Sequence, residues 1–327
     1  MNILILSAGT RNKVVQAFRE ALHGKGRVIA TDCSNLAPAL YDADEHYIVP
    51  RITDPSYLDT IESICKREQI TAAFSLIDPE LSLLAKERER FEQIGVTPVV
   101  SDYDLVEQCF DKYRFYKLMK KCKVPTAKCY TDMYRFLDEL DHGKILYPVF
   151  VKPIRGSASI HINKVNSDDE IAVLFARYDD LLIQEYMDGQ EYGADVYVDL
   201  ISGKCTHIFV KKKIKMRAGE TDKSVSVKIP ELFDRIRDLT EKLGFRGMID
   251  IDIFEQDGKY YFSEVNPRFG GGYPHAYACG VDFASALVRN LEGLSNEPAI
   301  GKYAENICMM KYNEVCIRDF NGKEIIP

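Results

Sequence analysis

Glu264-Val265-Asn266-Pro267-Arg268, with Met248-Ile249-Asp250-Ile251-Asp252-Ile253-Phe254 ahead of it, is the stretch from which the rest of this 327-residue chain can be read. Ile249, Ile251 and Ile253 alternate with Asp250 and Asp252, the period of two that sends one set of side chains into a core and the other to the opposite face of a strand. Between the two runs, Glu255-Gln256-Asp257-Gly258-Lys259 carries Asp-Gly, which predicts a hairpin turn, and Tyr260 to Val265 predicts the returning strand. Glu264 and Asn266 are also two apart. If their face is the one that carries Asp252, three oxygen donors converge, as a hard cation on a nucleotide requires. Arg268 then supplies a fixed counter-charge beside the phosphates. A solvated hairpin would show the same alternation, so the sequence upstream has to decide.

Composition narrows the choice. The chain is 46% hydrophobic and 28% charged, ordinary for a globular protein of two or three domains. A net charge of -7 argues against a nucleic-acid surface, although Lys211-Lys212-Lys213 is a local basic cluster. The nine cysteines form no CxxC pair and no metal-finger spacing, and the N-terminus begins on a strand pattern, so reduced thiols and a cytoplasmic protein are expected. No apolar run reaches the roughly 20 residues of a membrane span.

Along the chain, Met1 to Ser7, Val28 to Thr31 and Thr71 to Ile77 read as buried strands, with helical patterns over Val14–Leu22 and Tyr57–Glu68 between them. This alternation predicts a parallel, doubly wound sheet over about the first 100 residues. Ala8-Gly9-Thr10-Arg11 lacks the spaced glycines of a dinucleotide loop. Ser7–Arg11 and Ile77–Glu80 nevertheless fall at carboxyl ends of strands, where such sheets build their binding crevice, or else are plain tight turns. Lys112 opens a helix. Tyr147-Pro148-Val149-Phe150-Val151-Lys152-Pro153 is a strand with one lysine near its end, feeding Arg155-Gly156-Ser157, a loop whose backbone can approach phosphate oxygens. Leu181 to Gly189 switches from apolar strand to polar residues.

Taken in order, Lys112, Val151-Lys152-Pro153, Arg155-Gly156-Ser157, Gln184-Glu185-Tyr186, Ile251-Asp252 and Glu264 to Arg268 resemble the ATP-grasp superfamily, most closely the branch of the carbamoyl-phosphate synthase large chain and biotin carboxylase. The resemblance implies an α/β and α+β fold. A Rossmann-like pre-ATP-grasp domain would span 1–105, linker helices and a lid subdomain 106–186, and a C-terminal catalytic subdomain 187–327. It implies ATP and Mg2+ as cofactors, with Mn2+ as an alternative. Lys112, Lys152, Arg155, Gly156 and Ser157 would attend the phosphates, Glu185, Tyr186 and Met187 the adenine, and Glu191 the ribose. Asp252, Glu264 and Asn266 would hold the metal, and Arg268 the transferred phosphoryl group. Asp252 departs from the amide common among the carbamoyl-phosphate synthase relatives, and a single ATP-grasp unit makes synthesis of carbamoyl phosphate itself improbable.

The activity so implied is carboxylate–amine ligation through an acyl phosphate, releasing ADP and phosphate. ATP, a small carboxylate and an amine are then the partners, with neither nucleic acid nor membrane, and a homodimer is an open alternative to a monomer. An ATP-dependent carboxylase acting on bicarbonate, or a non-catalytic nucleotide-binding protein, are the competing readings. In the charged segment Lys211–Lys223, Arg217 and Lys223 are the candidate anion contacts and Glu220 a candidate amine contact, against a merely solvated basic loop. His275 reads as a packing histidine before a proton shuttle. Asn306–Tyr312 and Asn313–Ile317 both read as strands.

Overall fold

The structure is a computed structural model and describes residues 1–156, 162–319 and 322. Ser157 lies outside the described residues. Three sheets organise the chain. The first runs β1 (Asn2–Leu6), β2 (Arg27–Asp32), β3 (Glu45–Ile48), β4 (Ile70–Ser75) and β5 (Thr97–Pro98), in the order β3-β2-β1-β4-β5, all parallel. Alternation along β1 makes it doubly wound. Ile3 and Ile5 pack with Val14, Val15 and Phe18 of the helix Asn12–Leu22, while Leu4 and Leu6 pack with Tyr57, Ile61 and Ile64 of the helix Tyr57–Arg67. The short strand β3, Glu45-His46-Tyr47-Ile48, has a pattern too brief to be read from sequence.

The second sheet is antiparallel, with β6 (Cys129–Tyr130), β7 (Val149–Pro153), β8 (Asn163–Val165) and β9 (Leu181–Glu185) in the order β6-β9-β7-β8. Its own core gathers Tyr130, Phe136, Val149, Val151, Ile171 and Ile183. The two helices on it are capped by side chains: Asp132 accepts from the Arg135 N–H at 3.0 Å and Ser167 from the Glu170 N–H at 3.4 Å.

The third sheet comprises β10 (Gln190–Val198), β11 (Cys205–Arg217), β12 (Glu220–Val227), β13 (Gly247–Gln256), β14 (Lys259–Asn266) and β15 (Cys308–Met310), ordered β14-β13-β10-β11-β12-β15 and antiparallel throughout. The central hairpin closes on Asp257 and Gly258, both at positive φ (52° and 72°), as a two-residue turn between twisted strands demands. Ile249, Ile251 and Ile253 are buried against Leu232, Ile236 and Leu239 of the helix Pro230–Leu243.

One alternative is set aside here and one expectation corrected. The charged segment is no loop: Lys211 to Arg217 completes β11, and β12 returns from an Ala218–Gly219 turn. At the other end Cys308–Met310 forms a strand on the edge of β12, and residues 311–317 are not part of a strand. One further backbone bond, from the Lys311 N–H to the Asp222 carbonyl of β12 at 2.9 Å, ends the ladder, and the chain then leaves the sheet edge. It crosses to the N-terminal domain, where the Arg318 guanidinium lies over the Tyr41 ring at 5.2 Å. Among the described residues no helix is long and apolar enough to cross a membrane.

Candidate active site

The face of β13 and β14 opposite the isoleucines forms the floor of a cavity of about 770 Å³ between the three sheets, a size typical of small-ligand pockets. Direct pairing of Asp252 with Glu264, and of Asp250 with Asn266, brings these four side chains onto one face. All four line the cavity. Among the described residues no hydrogen bond engages the Glu264 carboxylate or the Asn266 amide, whereas Asp252 Oδ1 is held at 2.6 Å by Lys213 Nζ, which also reaches Glu191 Oε1 at 2.7 Å. Burial pushes the Lys213 ammonium down, but Asp252 and Glu191 more than offset this and hold its pKa well above the usual lysine value. Burial likewise pushes the Glu191 carboxyl up, partly countered by Lys213. Asp250 is raised to about 7, first by burial and then by the charge of Asp252.

The basic residues of the cavity wall arrive from two directions. Asp111 caps the helix Lys112–Cys122 by accepting from the Tyr113 and Arg114 N–H groups at 3.1 and 2.8 Å, and this sets Lys112, whose Nζ donates to the Gly156 carbonyl at 2.6 Å. Lys152 projects from β7 with 9% exposure, and among the described residues nothing accepts a hydrogen bond from its ammonium. Burial pushes its pKa down, while the facing Glu264 pulls the other way. Arg155 also lines the cavity, yet its guanidinium is engaged by Glu107 at 2.9 Å and lies 3.7 Å from Asp111. Gly156, at φ 128°, also lines the cavity.

The remaining expected residues divide. Glu185 and Met187 line the cavity, and the Glu185 carboxylate is fixed by the Lys128 N–H at 2.9 Å. Tyr186 between them turns away, packing its ring on Phe150 and beneath the Lys164 ammonium. Arg217 lines the cavity and lies 3.1 Å from Asp222, whereas Lys223 does not line it and sits 3.6 Å from the same aspartate. Arg268 is clamped by Asp78 of the first sheet's crossover, Nε to Oδ1 at 2.8 Å and Nη2 to Oδ2 at 3.0 Å. His275 is buried outside the cavity, between Ser224 Oγ at 2.8 Å and the Ile307 carbonyl at 2.9 Å.

Several site residues escaped the sequence reading as individuals. Lys213 and its buried neighbour Lys211, paired with Asp195, belong to a strand on which these two lysines are buried while Ile214 is 59% exposed. Gly193 on β10 lets them cross the floor, since a Cβ there would lie 3.0 and 3.1 Å from the two lysine Cε atoms. Phe150, Ala127, Ile162 and Phe254 complete an apolar end of the cavity. The available signal was the spacing of two between Lys211 and Lys213, the same signal that identified Asp250 and Asp252.

Comparison with known proteins supplies the family. A profile described as "PylC-like, N-terminal domain" matches residues 3–99, and one described as "ATP-grasp domain" matches residues 109–272. The chain belongs to the ATP-grasp family. Among its relatives, the arginine-specific carbamoyl phosphate synthase large chain of Geobacillus stearothermophilus is 26% identical over 83% of this chain, which spans 26% of that protein. The vancomycin B-type resistance protein VanB of Enterococcus faecalis is 30% identical, over 63% of this chain and 68% of its own. In fold, this ATP-grasp chain resembles the biotin carboxylase domain of Hydrogenobacter thermophilus 2-oxoglutarate carboxylase, crystallised with MgADP and bicarbonate. That match has a TM-score of 0.75 and 17% identity, and covers 94% of this chain and 73% of the other. N5-carboxyaminoimidazole synthetase from Staphylococcus aureus gives a TM-score of 0.71 at 13% identity, covering 91% and 78%.

Proposed function

We propose that the protein is an ATP- and magnesium-dependent carboxylate–amine ligase that proceeds through an acyl phosphate and releases ADP and phosphate. The observation that carries this reading is Lys152: a buried ammonium without an acceptor among the described residues, lining a cavity, calls for an anion from outside. A nucleotide fits the order of the lining residues. Ala127, Phe150, Ile162, Met187 and Phe254 suit a purine, Glu191 the ribose hydroxyls, and Lys112 with Lys152 the polyphosphate.

The donors present also fit a magnesium ion. Among the described residues no cluster of three or more His, Cys, Asp or Glu is arranged as a metal site. The set here is instead two carboxylates and an amide, and the Lys213 ammonium at 2.6 Å from Asp252 stands where a cation is wanted. Asp252, Glu264 and Asn266 would hold the ion, whose contribution is neutralisation of charge on the phosphates. Arg268, fixed by Asp78, is poised for the charge that develops on the transferring phosphoryl group. A substrate carboxylate oxygen forms the new bond to the γ-phosphorus as the bond to ADP breaks. The amine nitrogen then bonds to the acyl carbon, phosphate leaves, and the amine gives up a proton. Water must be excluded while the acyl phosphate exists, a task that falls to the second sheet.

The test is magnesium-dependent ADP and phosphate release across amino acids and small carboxylates, each alone and paired with an amine. Release that requires both partners is expected. Release with bicarbonate alone would replace the ligase by a carboxylase.

A further inference from the structure

The end of the cavity away from the purine slot holds an arrangement that the nucleotide and metal do not use. Arg11, just beyond β1, and Glu220, the first residue of β12, both line the cavity and form an ion pair across the two domains. Lys311, just beyond β15, donates to the other Glu220 oxygen at 2.8 Å. Glu220 lies 209 residues from Arg11 and 91 from Lys311 in sequence, yet the three charged groups meet at one point. Burial would raise the Glu220 carboxyl, but Arg11 and Lys311 outweigh it and hold the group below the usual carboxylate range. The backbone leaves room for this carboxylate: a Cβ on Gly271 would lie 2.7 Å from Glu220 Cδ and Oε2, so any other residue there would push it aside.

The charges at this wall are mixed and incompletely consumed. Arg11 spends one guanidinium nitrogen on Glu220, and each Glu220 oxygen receives one donor, so N–H groups and lone pairs remain for a ligand. A purely anionic ligand would meet Glu220, and a purely cationic one would meet Arg11 and Lys311. A ligand carrying both signs on neighbouring atoms satisfies the wall. We propose that Arg11 and Glu220, steadied by Lys311, form a subsite for the zwitterionic head of an α-amino acid, the guanidinium taking its carboxylate and the Glu220 carboxylate its ammonium. The inference rests on the ligase reading and adds the class of one substrate.

The experiment uses the full chain with MgATP and the twenty standard L-amino acids, singly and in pairs, alongside small carboxylates that lack an amino group, each paired with an amine. Each active amino acid is compared with its N-acetyl and α-carboxamide derivatives. Wild-type protein should turn over the free amino acid and lose it on either derivatisation. Arg11→Gln and Glu220→Gln should each raise KM for the amino acid by about 10- to 100-fold, the range of a charge-assisted hydrogen bond, with KM for ATP unchanged. For an amino acid that serves as the amine partner, whose α-carboxylate does not react, Arg11→Gln should cost the free acid its advantage over the carboxamide. Equal turnover of acid, amide and N-acetyl forms by wild type would overturn the subsite, and that arm does not depend on any variant folding. ADP release driven only by carboxylates lacking an amino group would overturn the subsite and leave the ligase standing. No ADP release from any pair, amino acid or otherwise, would overturn the ligase reading itself and this inference with it.

Discussion

Lys213 is the residue on which the ligand-free site turns. Its ammonium bridges Asp252 and Glu191, two carboxylates that the ligase reading assigns to different ligands, the metal and the ribose. Such a bridge keeps like charges from facing each other in a cavity of low dielectric, and it must loosen when a divalent cation and nucleotide arrive. Replacing Lys213 by methionine therefore leaves two carboxylates without their cation. Breaking a buried pair from one side typically costs about 3 kcal/mol or more, so Lys213→Met should lower ligand-free stability by that order. Magnesium should restore much of the loss, because an ion that binds the folded state at Asp252 replaces the missing charge and stabilises by mass action. Urea unfolding of wild type and variant, with and without magnesium, reads this directly. A variant no more responsive to magnesium than wild type would remove Lys213 from the metal's neighbourhood.

At the scale of elements, the β13–β14 hairpin was legible in the sequence and the β11–β12 hairpin was not, for one physical reason. In β13 the isoleucines face the core and the aspartates the site, so pattern and burial agree. In β11 the buried face near its end is the site itself: Lys211 and Lys213 point in and Ile214 points out, and a rule that equates polar with exposed reads the segment as a loop. Arg11, Glu220 and Lys311 could not be associated from sequence at all, since only the folded chain brings their elements together. The same sheet edge places His275 between Ser224 on β12 and the Ile307 carbonyl next to β15. Burial, then the nearby Lys211, pushes its pKa down to about 4, so the ring is neutral when folded and protonates near 6.5 when unfolded. Between those values the unfolded state binds more protons, and stability falls as pH drops through the window. From pH 7 to 4.5 this group alone should remove about 2 kcal/mol. His275→Gln should show a correspondingly smaller acid penalty in chemical denaturation, and an equal penalty would mean that the ring is not held neutral.

Across the whole molecule, the cores do not divide as the sheets do. Phe18 and Phe74 of the first domain pack on Phe269, with centroids 5.9 and 5.6 Å away, within one cluster that also holds Tyr197, Phe209, Tyr273 and Phe283. The Asp78–Arg268 clamp joins the same two parts at the site. The second sheet keeps a separate, smaller core, and its contribution to the site, Lys152 with the Arg155–Gly156 turn, hangs from β7. A unit with its own small core can open without breaking the larger one. Hydrogen exchange of the ligand-free protein should therefore find the amides of β7 and β9 exchanging through a sub-global opening, faster than those of β1, β4, β10 and β13, which should exchange only with global unfolding. Magnesium with a non-hydrolysable ATP analogue should slow β7 and β9 selectively, because Lys152 on one side and Asp252, Glu264 and Asn266 on the other would then hold one ligand between them. Uniform exchange across all three sheets, or slowing spread equally over them, would show that the second sheet moves with the rest and that some other element must exclude water from the acyl phosphate.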